Sequence, residues 1–464
     1  MGTENLDVYA RTRLELELRE FNKNPSTHIS FGPVSDDDIF HWQGIIIGPV
    51  GTPIEGDLFH LSIRFPNDYP FHPPKVQFQT QAIEMLARNQ ATSHGCFMIY
   101  RHTPGARFDH FIDANIDLNI DTKRAALKIS PSVVSLTSLT GGNRLFMGSG
   151  TIIRSEEQVG GTYFSTILTS ASLVRLTSES NVVPDDIKIN VYLRDCTLLE
   201  GQVFAYDLHY NLAVIKIKTN VALPCARTRM VDDSISIDPN AIQEPFQLRP
   251  HSELFKLSPG DMVIAIGRYF VEPCALMAAP GYFSLDCVKL DCKELFMAKC
   301  EISKCGIGGP LINRYGEVIG VNFYGLGYTP FLPINIAVKC LEHFERYGRF
   351  YRPCLGMVMT NLYAASIRHL DRLTLRFPDI SKGVLVEEVI EGSSAGSGGI
   401  CSGDVITQCM NNDVQSFLEL YGMLLDKMGE SVELVVLRVN TLEIGGEAEV
   451  KQVFRKANFC EEAS

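Results

Sequence analysis

The spacing of apolar residues differs between the beginning of the chain and the stretch that follows. Leu14, Leu18 and Phe21 recur at i, i+4 and i+7, a spacing typical of one face of a helix. The same segment alternates as LELEL, which favours a strand, so both interpretations stay open. Next come an apolar run, a Gly/Pro turn and an alternating strand. One face of that strand carries four apolar residues: Phe59, Leu61, Ile63 and Phe65. The pattern predicts an antiparallel meander after a helix.

Short β-rich segments separated by polar or glycine turns begin near Asp121. Four of them are ALKISPSVVSLTS, RLFMGSGTIIRS, YFSTILTSASLV and NLAVIKIK. Such a series favours an all-β barrel. A third region, from Arg352 to Arg438, combines glycine turns, alternating strands and an amphipathic helix near Val414 to Met428. Residues 101–121 have the composition of a linker. The chain is therefore predicted to be multidomain and mainly β.

Composition limits the classes of partner. The chain has 54 acidic and 42 basic residues and a net charge of -12, so neither nucleic acid nor an anionic membrane is expected to bind it. Its first residues contain no apolar signal core, and no apolar run reaches the roughly 18 residues of a membrane span. These features predict a cytoplasmic or nuclear protein. The glycine-rich SSAGSGG lacks the GKS ending of a phosphate-binding loop, and no cofactor is predicted.

The 13 cysteines are predicted to be free thiols in a reducing compartment, because they lack paired CxxC spacing. Four of them cluster closely enough to suggest a zinc site: Cys287, Cys292, Cys300 and Cys305. No histidine lies near them in the sequence, and their spacing is unusual for zinc ligands. The sequence therefore predicts no metal site.

The stretch FHWQGIIIGPVGTPIEGDLFHLSIRFPNDYPFHPPKVQF resembles the ubiquitin-conjugating enzyme family. The resemblance implies a partial α+β module over residues 1–100 and partners in the ubiquitin pathway. Members of that family carry an HPN triplet and then a catalytic cysteine, whereas this chain has no such triplet. Cys96 is the one cysteine in the region and the candidate thioester nucleophile. The alternative, which the missing triplet favours, is a thiol in a diverged loop.

From about Lys123 to Tyr347 the order of segments, with GGPLINRYGEVIGVNFYG added, resembles the Deg/HtrA family of trypsin-like proteases. The resemblance implies a chymotrypsin-like double β-barrel over residues 122–347. It also implies a triad of histidine, aspartate and serine. The three triad positions are occupied by other residues: Ser172 in ILTSASLV, Asn211 before LAVIKI and Ile307 before GGPL. The triad is therefore predicted to be degenerate.

Three neighbouring residues offer catalytic groups. They are Asp207, His209 and Cys305, each close in sequence to a degenerate triad position. A shift of two residues moves a side chain about 6 to 7 Å along a strand, beyond hydrogen-bond reach unless the loop rearranges. A serine-type endopeptidase with displaced residues is accordingly the last-ranked alternative.

Residues 350–440 resemble a PDZ domain, with GDVI as the most specific phrase and a tail over residues 441–464. The resemblance implies a groove that binds the extended C-terminal peptides of other proteins. Seven residues are predicted to form it: Leu355, Gly356, Met357, Val358, Met359, Phe417 and Leu420. The competing interpretation is that these residues only pack the domain core.

Together these features predict a non-catalytic pseudoprotease that acts as a peptide-binding scaffold, linked to the ubiquitin pathway by its first module. The leading enzymatic alternative is a ubiquitin-conjugating enzyme that uses Cys96. A reductant-sensitive ubiquitin adduct distinguishes that enzyme from the scaffold, and labelling by a fluorophosphonate identifies an active serine protease. A homo-oligomer is compatible with the sequence.

Overall fold

A computed structural model describes most of the chain from residue 118 onward and parts of the segment before it. The described residues are 10–15, 17–19, 29–35, 38–47, 58–67, 69, 74–78, 118–158, 160–176, 182–240, 254–269, 274–285, 292–325, 328–353, 355–427, 430–438 and 456–457. Contacts divide the chain into two compact units, and the second contains everything from residue 107 onward. No helix among the described residues is long and apolar enough to cross a membrane.

The first unit pairs helical residues 10–15 and 17–19 with a four-stranded antiparallel meander. Its strands are β1 (Ile29–Ser35), β2 (Asp38–Ile47), β3 (Leu58–Arg64) and β4 (Lys75–Phe78). The buried core contains Leu14, Trp42 and Ile63. The Trp42 indole donates to the Ile39 carbonyl at 2.6 Å, which satisfies the polar end of the largest core side chain. This arrangement confirms the predicted helix and meander, whereas the strand interpretation of LELEL is wrong.

The first described helix of the second unit is Ile120–Ile129, which is followed by the 3-10 turn Ser130–Ser132. The Asn119 side chain caps the helix by accepting from Thr122 N at 2.8 Å. Four buried residues follow a helical spacing: Thr122, Ala125, Ala126 and Ile129. This finding corrects the β interpretation of ALKI, because the buried residues recur at helical spacing from Thr122 to Ile129.

Two closed six-stranded barrels follow. The first contains β5 (Val133–Thr140), β6 (Asn143–Gln158), β7 (Thr162–Ser170), β8 (Lys188–Tyr192), β9 (Leu198–Asp207) and β10 (Leu212–Thr219). Between the barrels, β11 (Val231–Asp232) pairs in parallel with β12 (Phe255–Lys256). The second contains β13 (Met262–Arg268), β14 (Leu276–Ser284), β15 (Phe296–Ala298), β16 (Pro310–Asn313), β17 (Val318–Asn322) and β18 (Thr329–Pro333). The predicted chymotrypsin-like double barrel is confirmed. Inward-facing β-branched and leucine side chains fill the first barrel, as alternation along its strands requires.

The barrel helix, Ile334–Tyr347, ends at Gly348 and leads to the C-terminal region. The sheet of that region contains β19 (Met357–Asn361), β20 (Val384–Val389), β21 (Val405–Cys409), β22 (Asn412–Asp413), β23 (Val432–Leu437) and β24 (Lys456–Ala457). Its helical segments are the 3-10 turn Leu362–Ala364 and the helices Ile367–Arg376, Ser394–Ser397 and Phe417–Asp426. We call Phe417–Asp426 the groove helix. Ser416 caps it by accepting from Glu419 N, so it starts three residues later than the sequence predicts.

The C-terminal region packs on the second barrel through both apolar and polar contacts. The Phe417 ring lies 6.4 Å from the Phe296 ring. The Lys339 amine lies 2.7 Å from the Asp426 carboxylate. The buried Tyr421 hydroxyl hydrogen-bonds the hydroxyl of Tyr210, which precedes β10 of the first barrel. These contacts join the C-terminal region to both barrels.

Candidate functional site

Two of the three predicted triad positions lie side by side in the first barrel. Ser172 lies in the 3-10 turn Ala171–Leu173 after β7, and Asn211 lies in the turn before β10. The Ser172 hydroxyl is 3.1 Å from Nδ2 and 3.2 Å from Oδ1 of Asn211. A hydroxyl and an amide do not exchange a proton near neutral pH. The side chains therefore hydrogen-bond to each other without forming an acid–base pair.

Local backbone contacts hold this pair in place. Asn211 is buried and has a φ of 51°, a left-handed conformation that asparagine adopts more readily than most residues. Its carbonyl accepts from Ala171 N at 2.9 Å. The Ser170 hydroxyl accepts from Ser172 N at 3.1 Å. The turn therefore fixes Ser172 and Asn211 in one geometry.

The third position, Ile307, follows the 3-10 turn Lys304–Gly306. Its side chain is 5% exposed and packs into the apolar core of the first barrel. The Ile307 N–H donates to the Lys304 carbonyl at 3.2 Å, and its carbonyl accepts from Ser149 N at 2.8 Å. The side chain has no nucleophilic atom, and the N–H already has an internal acceptor.

The backbone after Ile307 passes very close to β6 and β7. Gly308 has a φ of 78°, and a Cβ added there would lie 2.4 Å from Thr169 Oγ1 and 2.6 Å from Ser170 N. Gly308 N donates to the Asn322 carbonyl at 2.8 Å. Because Ser170 immediately precedes the turn that contains Ser172, the structure brings all three triad positions to one region. Only a glycine fits this approach without displacing its neighbours.

The catalytic groups next to the triad positions have other partners. Cys305 is fully buried, with its sulfur 2.8 Å from the Ser303 hydroxyl. His209 Nε2 lies 3.7 Å from the Glu294 carboxylate. The Asp207 carboxylate accepts from Tyr210 N at 2.7 Å. Cys96, the candidate thioester nucleophile, lies outside the described residues.

The predicted peptide groove lies at one edge of the C-terminal sheet. Strand β19, which contains Met357, Val358 and Met359, is half-buried and stands at the end of the strand order. Phe417 N donates to the Asn361 side chain at 2.7 Å, which joins the start of the groove helix to the end of this strand. Of the other residues predicted to form the groove, Leu355, Phe417 and Leu420 are buried, and Gly356 has a φ of 71°.

A third cluster unites residues that are distant in sequence. The ligand atoms of His209, Cys292 and Glu294 lie within 4.8 Å of one another. The sequence placed no histidine near Cys292, because only the folded barrels bring His209 to it. Within the described part of the chain, Cys292, Cys300 and Cys305 share no common metal-ligating group, and Cys287 lies outside it. The nine described cysteines are free thiols. Six of them are buried, whereas Cys225 and Cys401 are exposed and Cys196 is partly exposed.

Comparisons with known proteins identify relatives of the chain. The ubiquitin-conjugating enzyme family model matches residues 13–89, and the trypsin-like peptidase domain model matches residues 148–321. A Do-like 14 protein of Arabidopsis thaliana, named as a protease, is 31% identical over 343 residues, which cover 69% of this chain and 70% of that protein. A serine endoprotease of Yersinia pestis covers 75% of this chain and 100% of its own, at 19% identity and a TM-score of 0.41. The chain therefore belongs to the Do-like (Deg/HtrA) family of trypsin-like proteases, with an N-terminal region similar to ubiquitin-conjugating enzymes.

Proposed function

We propose that this chain is a non-catalytic member of its family that binds the C-terminal peptides of other proteins. The observation that carries the first half is the hydrogen bond between Ser172 and Asn211, at 3.1 Å. Peptide hydrolysis by this family requires a base that removes the proton of the nucleophile. Neither a serine nor an asparagine side chain acts as that base at neutral pH.

Ile307 supports the same conclusion. Its buried hydrocarbon side chain replaces the nucleophile, and its N–H donates to the Lys304 carbonyl at 3.2 Å. Acyl transfer needs N–H groups that point at the developing oxyanion. An N–H that is already bonded inside its own turn does not supply this stabilisation. Nucleophile, base and oxyanion donor are thus all affected.

The edge of β19 supports peptide binding. Among the described strands, β19 pairs with β20 alone, so its other edge is able to accept an added strand. Gly356, at the head of the strand, has a φ of 71° and packs against Ser393. Such a tight loop suits the capture of a terminal carboxylate by backbone N–H groups. We therefore assign the C-terminal region as a PDZ-like domain with a preference for a hydrophobic last residue.

The first unit extends the proposal to the ubiquitin pathway. Its match to the ubiquitin-conjugating enzyme model covers residues 13–89, whereas the chain lacks the HPN triplet. A module of this kind is suited to docking other proteins of the pathway without forming a thioester. Ubiquitin-pathway proteins are therefore proposed as binding partners of this unit.

A titration of the full chain with C-terminal peptides tests the peptide-binding proposal. A degenerate library is used first, and its best peptide is then compared with the same peptide amidated at its C-terminus. We expect amidation to weaken binding by about tenfold or more, because it removes the charge that the loop captures. Absent binding, or equal affinity for both peptides, would overturn the proposal.

A matched pair of variants locates the binding site. Met357→Glu places a negative charge beside the proposed carboxylate loop, whereas Ile367→Glu places the same charge at a position that is 81% exposed. Weaker binding by the first variant alone supports the β19 groove. Equal affinities for both variants and the wild type would place the peptide elsewhere.

A further inference from the structure

Three side chains with metal-binding atoms meet where the two barrels adjoin. His209 lies in the turn between β9 and β10, whereas Cys292 and Glu294 lie just before β15. A ring nitrogen, a thiol sulfur and a carboxylate oxygen all lie within 4.8 Å of one another. Of the His, Cys, Asp and Glu side chains that the structure describes, this is the one group of three or more that could share an ion.

The separations of the ligand atoms suit a small tetrahedral ion. The Cys292 sulfur lies 3.1 Å from Glu294 Oε2, and His209 Nε2 lies 3.7 Å from the same oxygen. Zinc bonds of about 2.0 to 2.3 Å place neighbouring ligand atoms about 3.5 Å apart. Side-chain adjustments smaller than a bond length would therefore bring all three atoms to one ion.

The donor set indicates which ion would bind. Thiolate and imidazole ligands favour zinc over magnesium or calcium, which prefer all-oxygen sites. Cys292 is buried, whereas the side chains of His209 and Glu294 are 33% and 20% exposed. One side of the cluster thus faces solvent, so water is able to occupy the fourth coordination position.

Without an ion, the three side chains are held together by hydrogen bonds and charge. Burial raises the pKa of Glu294, but the hydrogen bond and charge of His209, together with hydrogen bonds from Cys292 and the backbone, outweigh burial and lower the pKa overall. The Cys292 thiol donates a hydrogen bond to Glu294 Oε2 at 3.1 Å. Zinc binding replaces the thiol proton, which is released to solvent. The alternative to a metal site is a hydrogen-bonded trio that never exchanges its thiol proton for an ion.

We propose that His209, Cys292 and Glu294 bind one Zn²⁺ ion that links the two barrels. The next residue after His209 is Tyr210, whose hydroxyl bonds that of Tyr421 in the groove helix. An ion at this position would fix the turn that contains Asn211 and the contact with the C-terminal region. Zinc would thus stabilise the junction beside the degenerate triad. This proposal departs from the prediction that the chain has no metal site.

A zinc titration of the chelator-treated full chain tests the proposal, with a chromophoric chelator as competitor. We expect one tight site per chain. His209→Gln and Glu294→Gln should each weaken it by about 100-fold, since each removes a ligand. His369→Gln and Glu388→Gln are the matched controls, because they change the same residue types elsewhere in the chain. Both should bind zinc as the wild type does. Circular dichroism establishes that every variant is folded.

If His209→Gln or Glu294→Gln fails to fold, the absorption spectrum of bound Co²⁺ provides a second test of the site. Co²⁺ is added to a Cys225→Ser/Cys401→Ser chain, which lacks the two exposed cysteines of the described region. Sulfur-to-cobalt absorption that is lost on Cys292→Ser supports the site. Absence of a tight zinc site in the wild type, zinc affinity unchanged in both ligand variants, or cobalt binding without sulfur absorption would overturn the proposal.

Discussion

The Ser172 hydroxyl lies 3.1 Å from the amide nitrogen of Asn211, where the family resemblance places a histidine beside an aspartate. The hydrogen bond between the two positions is retained, but neither partner titrates near neutral pH. The Ser172–Asn211 hydrogen bond therefore satisfies the polar groups of this turn. Under the proposed function, the pair keeps this structural role without transferring a proton.

Replacing Ile307 should cost stability without yielding a protease. Ile307→Ser removes a buried hydrocarbon and should lower the free energy of unfolding by about 2 to 4 kcal/mol, whereas Ile307→Val should cost about 1 kcal/mol. Urea unfolding measures both values. Casein cleavage by Ile307→Ser should stay at background, because the base is still missing. A stable Ile307→Ser chain that cleaves casein would contradict this prediction.

The backbone at Gly308 passes close to its neighbours, so replacing this glycine should lower the free energy of unfolding more than replacing a glycine in open space. Gly308→Ala would place a Cβ 2.4 Å from Thr169 Oγ1, whereas Gly392 has the same φ of 78° with nothing within 4 Å. Both alanine variants carry a left-handed backbone cost of about 1 kcal/mol. Gly308→Ala should lose about 2 kcal/mol more than Gly392→Ala, because its neighbours must move. Equal losses of stability for the two variants, measured by thermal or urea unfolding, would contradict the prediction, because the loop would then accommodate the added methyl group without cost.

The stability of the folded chain should depend on pH through Asp233, which lies at the contact with the C-terminal region. Its carboxylate is buried and accepts from the Asn361 side chain at 2.7 Å, while its other oxygen has no hydrogen-bond partner among the described atoms. Burial raises the pKa of Asp233 despite that hydrogen bond. Between the ordinary aspartate pKa and the raised one, the unfolded chain releases the proton first. This group therefore lowers stability as pH rises through that window.

Asp233→Asn should remove this penalty while keeping one oxygen acceptor for Asn361. Relative to the wild type, the variant should become more stable as the pH rises from about 4 to 7, as measured by urea unfolding at each pH. Asp238→Asn, at an exposed position, controls for the loss of one negative charge. A stability difference between Asp233→Asn and wild type that is independent of pH would contradict the prediction.

The barrels could be predicted from the sequence, because individual strands have their own local pattern of apolar and polar residues. The segment NLAVIKIK became β10, and two of its apolar residues, Ile215 and Ile217, pack in the core of the first barrel. The helix Ile120–Ile129 was missed, because its buried face is formed by small residues that give a weak apolar signal. The groove helix was placed correctly to within a few residues, since its boundary depends on the Ser416 cap.

The sites were less predictable, because they depend on long-range contacts. The triad positions followed from family resemblance, but the hydrogen bond between Ser172 and Asn211 requires the closed barrel. The approach of His209 to Cys292 joins two barrels and has no local signature. Burial of Phe417 against Phe296 also depends on how the C-terminal region packs on the second barrel.

Intact-mass analysis of the purified wild-type chain after incubation with a fluorophosphonate, with casein digestion measured on the same sample, shows directly whether the chain is a serine protease. Active trypsin serves as the positive control for both assays. We expect an unchanged mass and no cleavage above buffer. Ser172, Asn211 and Ile307 supply no general base, no carboxylate to orient that base and no nucleophile. A fluorophosphonate adduct, or casein cleavage that remains with the chain through further purification, would contradict this expectation.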